Sequence, residues 1–275
     1  MRASTINQME LPNFFKSMYN SMYGWTIILL VFLSLVASYS KHSFPTNLAV
    51  AIIVSAALDI LIKKLILKKR FKFPYSAIIT GIIVGSIVQF SSSLWIVVTA
   101  SIIAICSKFA IRLKGSHIFN PAALGLLVSL FIFSSGDEWW AAVNHNFYGV
   151  VIPLSAILIL ANYKAGKLGV SLSFLLVMAI LSYSTEFIPM NSFTLKGVMN
   201  LIYSMQFYFA FVMVSEPKTS PYGLKQQIAF GVLAAILTFA FSFYNIKFAL
   251  IIALLAGNLV YALHRSYFVK PAADK

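Results

Sequence analysis

Two short polar stretches interrupt an otherwise oily chain, and they hold most of the side chains able to do chemistry. They are Ser116-His117-Ile118-Phe119-Asn120-Pro121 and Ser215-Glu216-Pro217-Lys218-Thr219-Ser220-Pro221, with closing prolines one hundred residues apart. Asn120 and Ser220 are good N-caps, and each is followed by a proline suited to a first helical position, where a missing N–H costs nothing. Each stretch is expected to launch a hydrophobic helix from a polar, donor-rich start. A free helix N-terminus offers several N–H donors and the positive end of a dipole, which suits an anion or a carbonyl-rich ring. His117, Asn120, Glu216, Lys218, Thr219 and Ser220 add polar groups beside it. Phe119, Phe207, Tyr208, Phe209 and Phe211 add flat faces for stacking. A flavin, whose reduced ring gathers negative charge, fits such a site, with His117, Phe119, Asn120, Pro121, Glu216, Lys218, Thr219 and Ser220 as the candidate binding residues. The same residues also describe nothing more than two well-capped helix starts, and their chemistry does not single out flavin over another ligand.

The elements that must position these residues are membrane helices. With 60% hydrophobic residues, 10% charged residues and a mean hydropathy of +0.87, 275 residues have too little polar surface to cover a soluble globule. A hydrocarbon layer of ~30 Å takes about 20 apolar residues per helix. The chain divides into ten such stretches, at 22–40, 46–62, 74–91, 94–112, 121–135, 149–163, 168–184, 197–214, 224–243 and 246–264. The expected fold is therefore an all-α integral membrane protein, a single polytopic domain over 1–275. The first stretch follows Lys16 and ends in Val36-Ala37-Ser38, which also suits a signal peptide; we read it as the first transmembrane helix.

A net charge of +14 would suit nucleic acid, but its placement argues against that partner. Threading ten spans from an inside N-terminus puts all Lys and Arg at inner ends except Lys41, Lys196 and Lys247, while Asp137, Glu138 and Glu186 fall outside. This is the positive-inside bias, with both termini cytoplasmic and the protein in the inner membrane. Within it, the run from Lys63 to Lys72 reads as a topology anchor, or as a patch for anionic lipid or a partner. Asp59 is expected to pair with Lys63 one turn on, and Lys108 to snorkel to the inner surface.

Other chemistries find little footing. Cys106 is the only cysteine, which excludes an intramolecular disulfide and a four-thiolate site, so it reads as a small core residue. His42, His117, His145 and His264 show no ligand spacing, and no metal is expected. There is no phosphate-cradling glycine loop and no nucleophile elbow. Gly81 and Gly85 form a G-x-x-x-G, the signature of close helix packing. The two proline stretches suggest an internal duplication with halves at 22–135 and 149–264. Four spans separate them, which by itself gives parallel copies, whereas inverted repeats need an odd offset.

Three runs carry a resemblance: Phe119 to Leu124, Ser135-Gly136-Asp137-Glu138-Trp139-Trp140-Ala141-Ala142-Val143, and Phe211 to Pro221. In that order they resemble the NqrB/RnfD family, the integral-membrane redox subunits of the sodium-translocating NADH:quinone reductase and of the Rnf complex. The last run differs from the family's usual Asp-Pro followed by Thr or Ser, reading Glu216-Pro217-Lys218-Thr219. The resemblance implies a ten-helix electron-transfer subunit with flavin near both membrane faces. Its implied partners are the lipid bilayer, other redox subunits or flavoproteins and iron–sulfur proteins, and quinone. The family's covalent FMN hangs on a threonine after the Ser-Gly-Asp run, but this chain reads Asn144-His145-Asn146-Phe147-Tyr148 there. Covalent FMN is therefore not expected; a non-covalent flavin, riboflavin or FMN, on the cytoplasmic side is. Two other functions stay open: a small-solute channel or transporter, since the redox family's fold resembles urea and ammonium channels, and a non-catalytic membrane anchor for a redox partner.

Overall fold

The computed structural model describes residues 22–142, 148–184 and 205–268. Val143 to Phe147, which include His145, lie outside the described residues, as do Arg2, Lys16, the 185–204 segment with Glu186 and Lys196, Lys270 and Lys275.

Among the described residues ten α-helices follow one another: α1 (Met22–Ser40), α2 (Thr46–Leu61), α3 (Tyr75–Ile87), α4 (Leu94–Ala110), α5 (Pro121–Ile132), α6 (Tyr148–Lys164), α7 (Leu168–Ser184), α8 (Met205–Tyr208), α9 (Leu224–Phe243) and α10 (Ala249–Phe268). Single π-helical turns extend α2 through Ile62–Ile66 and α8 through Phe209–Val214. The protein is an all-α membrane protein, as its composition requires. Leu30, Ile82, Ile87, Leu126, Leu130 and Phe209 form its dry centre, while Phe32, Ile53, Trp95, Leu160, Leu176 and Ile236 point outward. An apolar perimeter of this kind belongs in lipid.

Among the described residues three helices, over Tyr23–Ser40, Leu224–Phe243 and Ala249–Tyr267, are long and apolar enough to cross a bilayer alone. Others are shorter than the sequence suggests. α3 stops at Ile87 rather than 91, since Val88 turns extended at φ −60°, ψ 143°. Thirteen residues rise only about 20 Å at 1.5 Å each, so irregular backbone must supply the remaining depth. α4 also ends early, at Ala110, and a small hairpin follows in which Arg112–Leu113 pairs antiparallel with Ser116–His117. Its turn residues Lys114 and Gly115 have φ of 47° and 77°, the mirror-image geometry that matches the twist of a two-residue hairpin. The C-terminal end of α10 holds this hairpin, with Arg265 donating to Leu113 O and Lys114 donating to Ser266 O.

Helix packing follows two similar schemes. In the first, α1 lies on α3, α2 on α3 and α4, and α4 on α5; in the second, α6 lies on α7 and the π-turn after α8, α7 on that turn and on α9, and α9 on α10. The two sets meet through α1 against α6 and α5 against α10. Glycines permit the closest approaches. A Cβ at Gly81 would stand 2.6 Å from Ala51 O, and one at Gly85 would stand 2.6 Å from Leu48 Cα, so the G-x-x-x-G of α3 is a packing face.

Candidate functional site

The π-turn Phe209–Val214 is where the site begins. Widening a helix to i→i+5 bonding strands carbonyls that an α-helix would satisfy, and such turns recur at functional positions. Here buried side chains from neighbouring helices take up that role. Ser171 Oγ donates to Ala210 O at 2.9 Å, Asn162 Nδ2 to Phe211 O at 2.8 Å, and Asn120 Nδ2 to Met213 O at 3.3 Å. The chain then leaves helical geometry through Ser215–Gly223 before α9 starts.

Asn120 caps α5 as its sequence predicts: Oδ1 accepts from Ala123 N–H at 3.1 Å, and Pro121 is the first helical residue. Ser220 does not cap α9, which begins at Leu224 behind Gly223 with no side-chain cap. Its hydroxyl instead donates to Glu216 O at 2.7 Å, so the second stretch folds on itself. Thr219 Oγ1 likewise donates to Glu216 Oε2 at 3.0 Å. The two proline stretches are therefore not two equivalent helix starts, although they do meet. Asn258, fully buried on α10, accepts from Asn120 N–H at 2.8 Å and donates to Thr219 O at 3.2 Å. One amide thereby ties both stretches together.

Behind the second stretch sits Lys167, between α6 and α7, with no exposed surface at all. Its ammonium donates to Ser220 O at 2.9 Å, Pro221 O at 2.8 Å and Pro217 O at 3.5 Å, and it lies 3.6 Å from the centre of the Tyr222 ring. Three donors meet three carbonyls. Burial pushes this ammonium down to about 8, against the attraction of Glu216.

Lys108 also departs from expectation. Instead of snorkelling outward it is buried, and Nζ donates to Ser76 O at 2.9 Å and Ser76 Oγ at 3.2 Å, closing the back of the same region. Asp59 does pair with Lys63, Oδ2 to Nζ at 2.5 Å. Cys106 faces outward rather than into the core.

These elements enclose a cavity of about 360 Å³ between α1, α3, α5, α6 and the break after α8. That volume falls in the range of small-molecule sites, about 300–1,000 Å³. Its wall includes Tyr23, Thr26, Ser76, Thr80, Asn120, Pro121, Asn162, Lys164, Phe211, Glu216, Lys218 and Tyr222. Of the residues singled out by sequence, Asn120, Pro121, Glu216 and Lys218 line it. Thr219 and Ser220 lie behind, holding Glu216. His117 stays buried in the hairpin with Nδ1 against Lys108 O at 3.1 Å; burial and the charges of Lys218 and Lys108 push it down to about 4, so its imidazole is neutral. Phe119 packs into the core, and so do Phe207, Tyr208 and Phe209; of these five aromatics Phe211 alone reaches the cavity wall, where Tyr23 and Tyr222 join it. Glu216 is half-buried, and burial raises its carboxyl above the usual range against the pull of Lys108, Thr219, Lys218 and Lys167. Among the described residues no cluster of His, Cys, Asp and Glu could hold a metal ion.

Sequence reasoning missed Asn162, Lys167 and Asn258. Asn162 and Asn258 stand inside apolar spans, where a polar residue is costly and marks a site or a backbone partner. Lys167 looks in the sequence like any other cation at a span end.

The fold and the cavity define a polytopic helical membrane protein with a largely apolar pocket, carrying a few polar and charged groups, at one end beside a broken helix. The family model for NQR2, RnfD and RnfE matches residues 14–157, just over half of the chain, and the chain belongs to that family. Its members are membrane subunits of Nqr- and Rnf-type electron-transport complexes. The match includes Asn120 and Pro121, whereas the Glu216–Pro221 stretch lies beyond it. No curated protein matches the chain.

Proposed function

We propose that the cavity binds a non-covalent flavin, riboflavin or FMN, and that the protein passes electrons to or across the membrane within a larger redox complex. The observation that carries this reading is the meeting of both proline stretches on one pocket of about 360 Å³. The donor set fits the group. Lys218 and Lys164 supply cations for electron-rich ring atoms or a phosphate, Glu216 can accept from a ring N–H, and Phe211 and Tyr222 offer flat faces. A bound flavin would supply one- and two-electron transfer. The protein's own groups would orient the ring, keep bulk water from it and hold protons near it.

The electron donor and acceptor belong to neighbouring redox subunits, flavoproteins or iron–sulfur proteins, with quinone as a candidate acceptor. The cavity would open to the cytoplasmic side of the inner membrane, with both termini there. The run from Lys63 to Lys72, Lys164, Lys218 and Arg265 at the cavity end support that orientation. The two packing schemes, offset by five helices, support an internal duplication of the inverted kind, since an odd offset reverses direction. In that scheme the partner of the break after α8 is the break after α3, and not the start of α5.

Purification in mild detergent followed by absorbance and acid denaturation tests the reading. A yellow chromophore released by acid is expected, and Lys218→Ala should lower its occupancy without unfolding the protein. A colourless, folded preparation would remove flavin binding and return weight to a channel or an anchor.

A further inference from the structure

Between α2 and α3, at the cavity end, nine consecutive residues from 64 to 72 are all exposed. They alternate two chemistries. Lys64, Lys68, Lys69, Arg70 and Lys72 carry five positive charges with no acidic residue among them, and Leu65, Ile66, Leu67 and Phe71 expose 65, 71, 39 and 73% of their surfaces. A topology anchor needs the charges alone. It gives no reason for four large apolar side chains to stand free beside them.

Backbone geometry keeps both kinds outside. The π-turn Ile62–Ile66 closes with Leu67 N–H donating to Ile62 O at 3.0 Å, and Lys69 N–H donates to Lys63 O at 2.9 Å. Lys68, at φ 48°, then turns the chain away from the helix axis. The loop leaves directly from a membrane helix, so its side chains start at the depth where headgroups meet acyl chains. Apolar groups there gain from shallow burial, and clustered cations beside a span meet anionic headgroups. An acidic protein surface would match the charges too, but a water-facing partner would have to cover the apolar residues at bilayer height.

We propose that the 64–72 loop is an interfacial binding site for anionic phospholipid, with Leu65, Ile66 and Phe71 inserted and the five cations on the headgroups. It leads directly into the following helix, whose second residue, Ser76, lines that cavity. Lipid bound here would brace the end of α3 that forms the wall.

The test places an environment-sensitive fluorophore at Ile66→Cys in the full chain, with the exposed Cys106 replaced by Ser. Nanodiscs of phosphatidylcholine alone are compared with discs also containing phosphatidylglycerol. A blue shift in the anionic discs, reversed by salt, is expected, since each surface cation is worth about a fivefold gain in binding. Replacing Leu65 and Phe71 with Ser leaves every charge and the topology in place, and should cut the shift several-fold. Neutralising Lys64, Lys68, Lys69, Arg70 and Lys72 to Gln should abolish it; should that variant fail to insert, the Ser pair still decides. Identical emission in the two discs would overturn the proposal. So would a shift seen only in native membranes, which would assign the loop to a protein partner.

Discussion

Two helices break within the described fold, after α3 and after α8, and the breaks are held in different ways. After α3, the backbone from Val88 to Ser93 is held by Asn47, the second residue of α2, whose Nδ2 donates to Gln89 O, Phe90 O and Ser92 O at 3.1–3.2 Å. Glu138 accepts from Phe90 N–H at 2.6 Å, and buried Trp139 and Trp140 roof the end of α3, with Trp140 Nε1 donating to Gly85 O at 2.9 Å. After α8, the backbone from Ser215 to Gly223 is held by Lys167, the residue just before α7. Each donor therefore stands at the start of a helix that follows a short connection. One is a neutral amide under an indole lid; the other is a buried cation behind a loop whose front faces a cavity. A lid closes the first break, whereas an anchor from behind leaves Glu216 and Lys218 of the second on the cavity wall.

The largest test of that difference is Lys167→Met. It strips donors from three carbonyls in a dry setting and should cost about 3 kcal/mol in thermal unfolding in detergent, with loss of bound chromophore. A stable variant that keeps its colour would show that the loop holds itself. Asn258→Leu leaves Asn120 N–H and Thr219 O unpaired, so it should cost about 2 kcal/mol and weaken ligand retention, measured by absorbance after dialysis. Asn47→Leu should cost a similar ~2 kcal/mol yet leave chromophore content unchanged, because its break lines no part of the cavity. Loss of chromophore there would erase the contrast between the two breaks.

Lys218→Ala, at an exposed position, should leave the melting temperature nearly unchanged while weakening the ligand about tenfold, the worth of one charge-assisted hydrogen bond. The smallest effect belongs to the exposed pair of Lys41 and Glu138 at the first break. Burial alone would raise the Glu138 carboxyl, but hydrogen bonds from Lys41 and Phe90 N–H and the Lys41 charge hold it below its ordinary 4.5. Its contribution is thus present above pH 4.5 and lost as pH falls through the lowered value. Lys41→Met should flatten that acid limb of the stability profile and change the melting temperature at pH 7 only slightly.

Much of the fold was legible because hydropathy needs no partner. The spans 22–40, 168–184 and 224–243 coincide with α1, α7 and α9, and the Asn120-Pro121 cap works as its letters predict. Local rules failed where a tertiary partner overrode them. Ser220-Pro221 has the letters of a helix start, but Lys167 takes the neighbouring carbonyls and the helix waits until Leu224. Lys108 has the letters of a snorkelling residue, but Ser76 offers it two acceptors inside. Cys106 reads as core because its type packs well, whereas only the rotation of α4 decides which face meets lipid.

Sequence by itself determined the solvent, the approximate spans, and the two polar stretches that interrupt them. Those follow from transfer free energy and charge, which act residue by residue. Tertiary structure alone decided that Asn258 would join the two stretches, that Lys167 would anchor one of them, and that Thr219, Ser220 and His117 would support the cavity without lining it. These depend on which buried donor meets which stranded carbonyl, a pairing between segments far apart in the chain that no local pattern encodes.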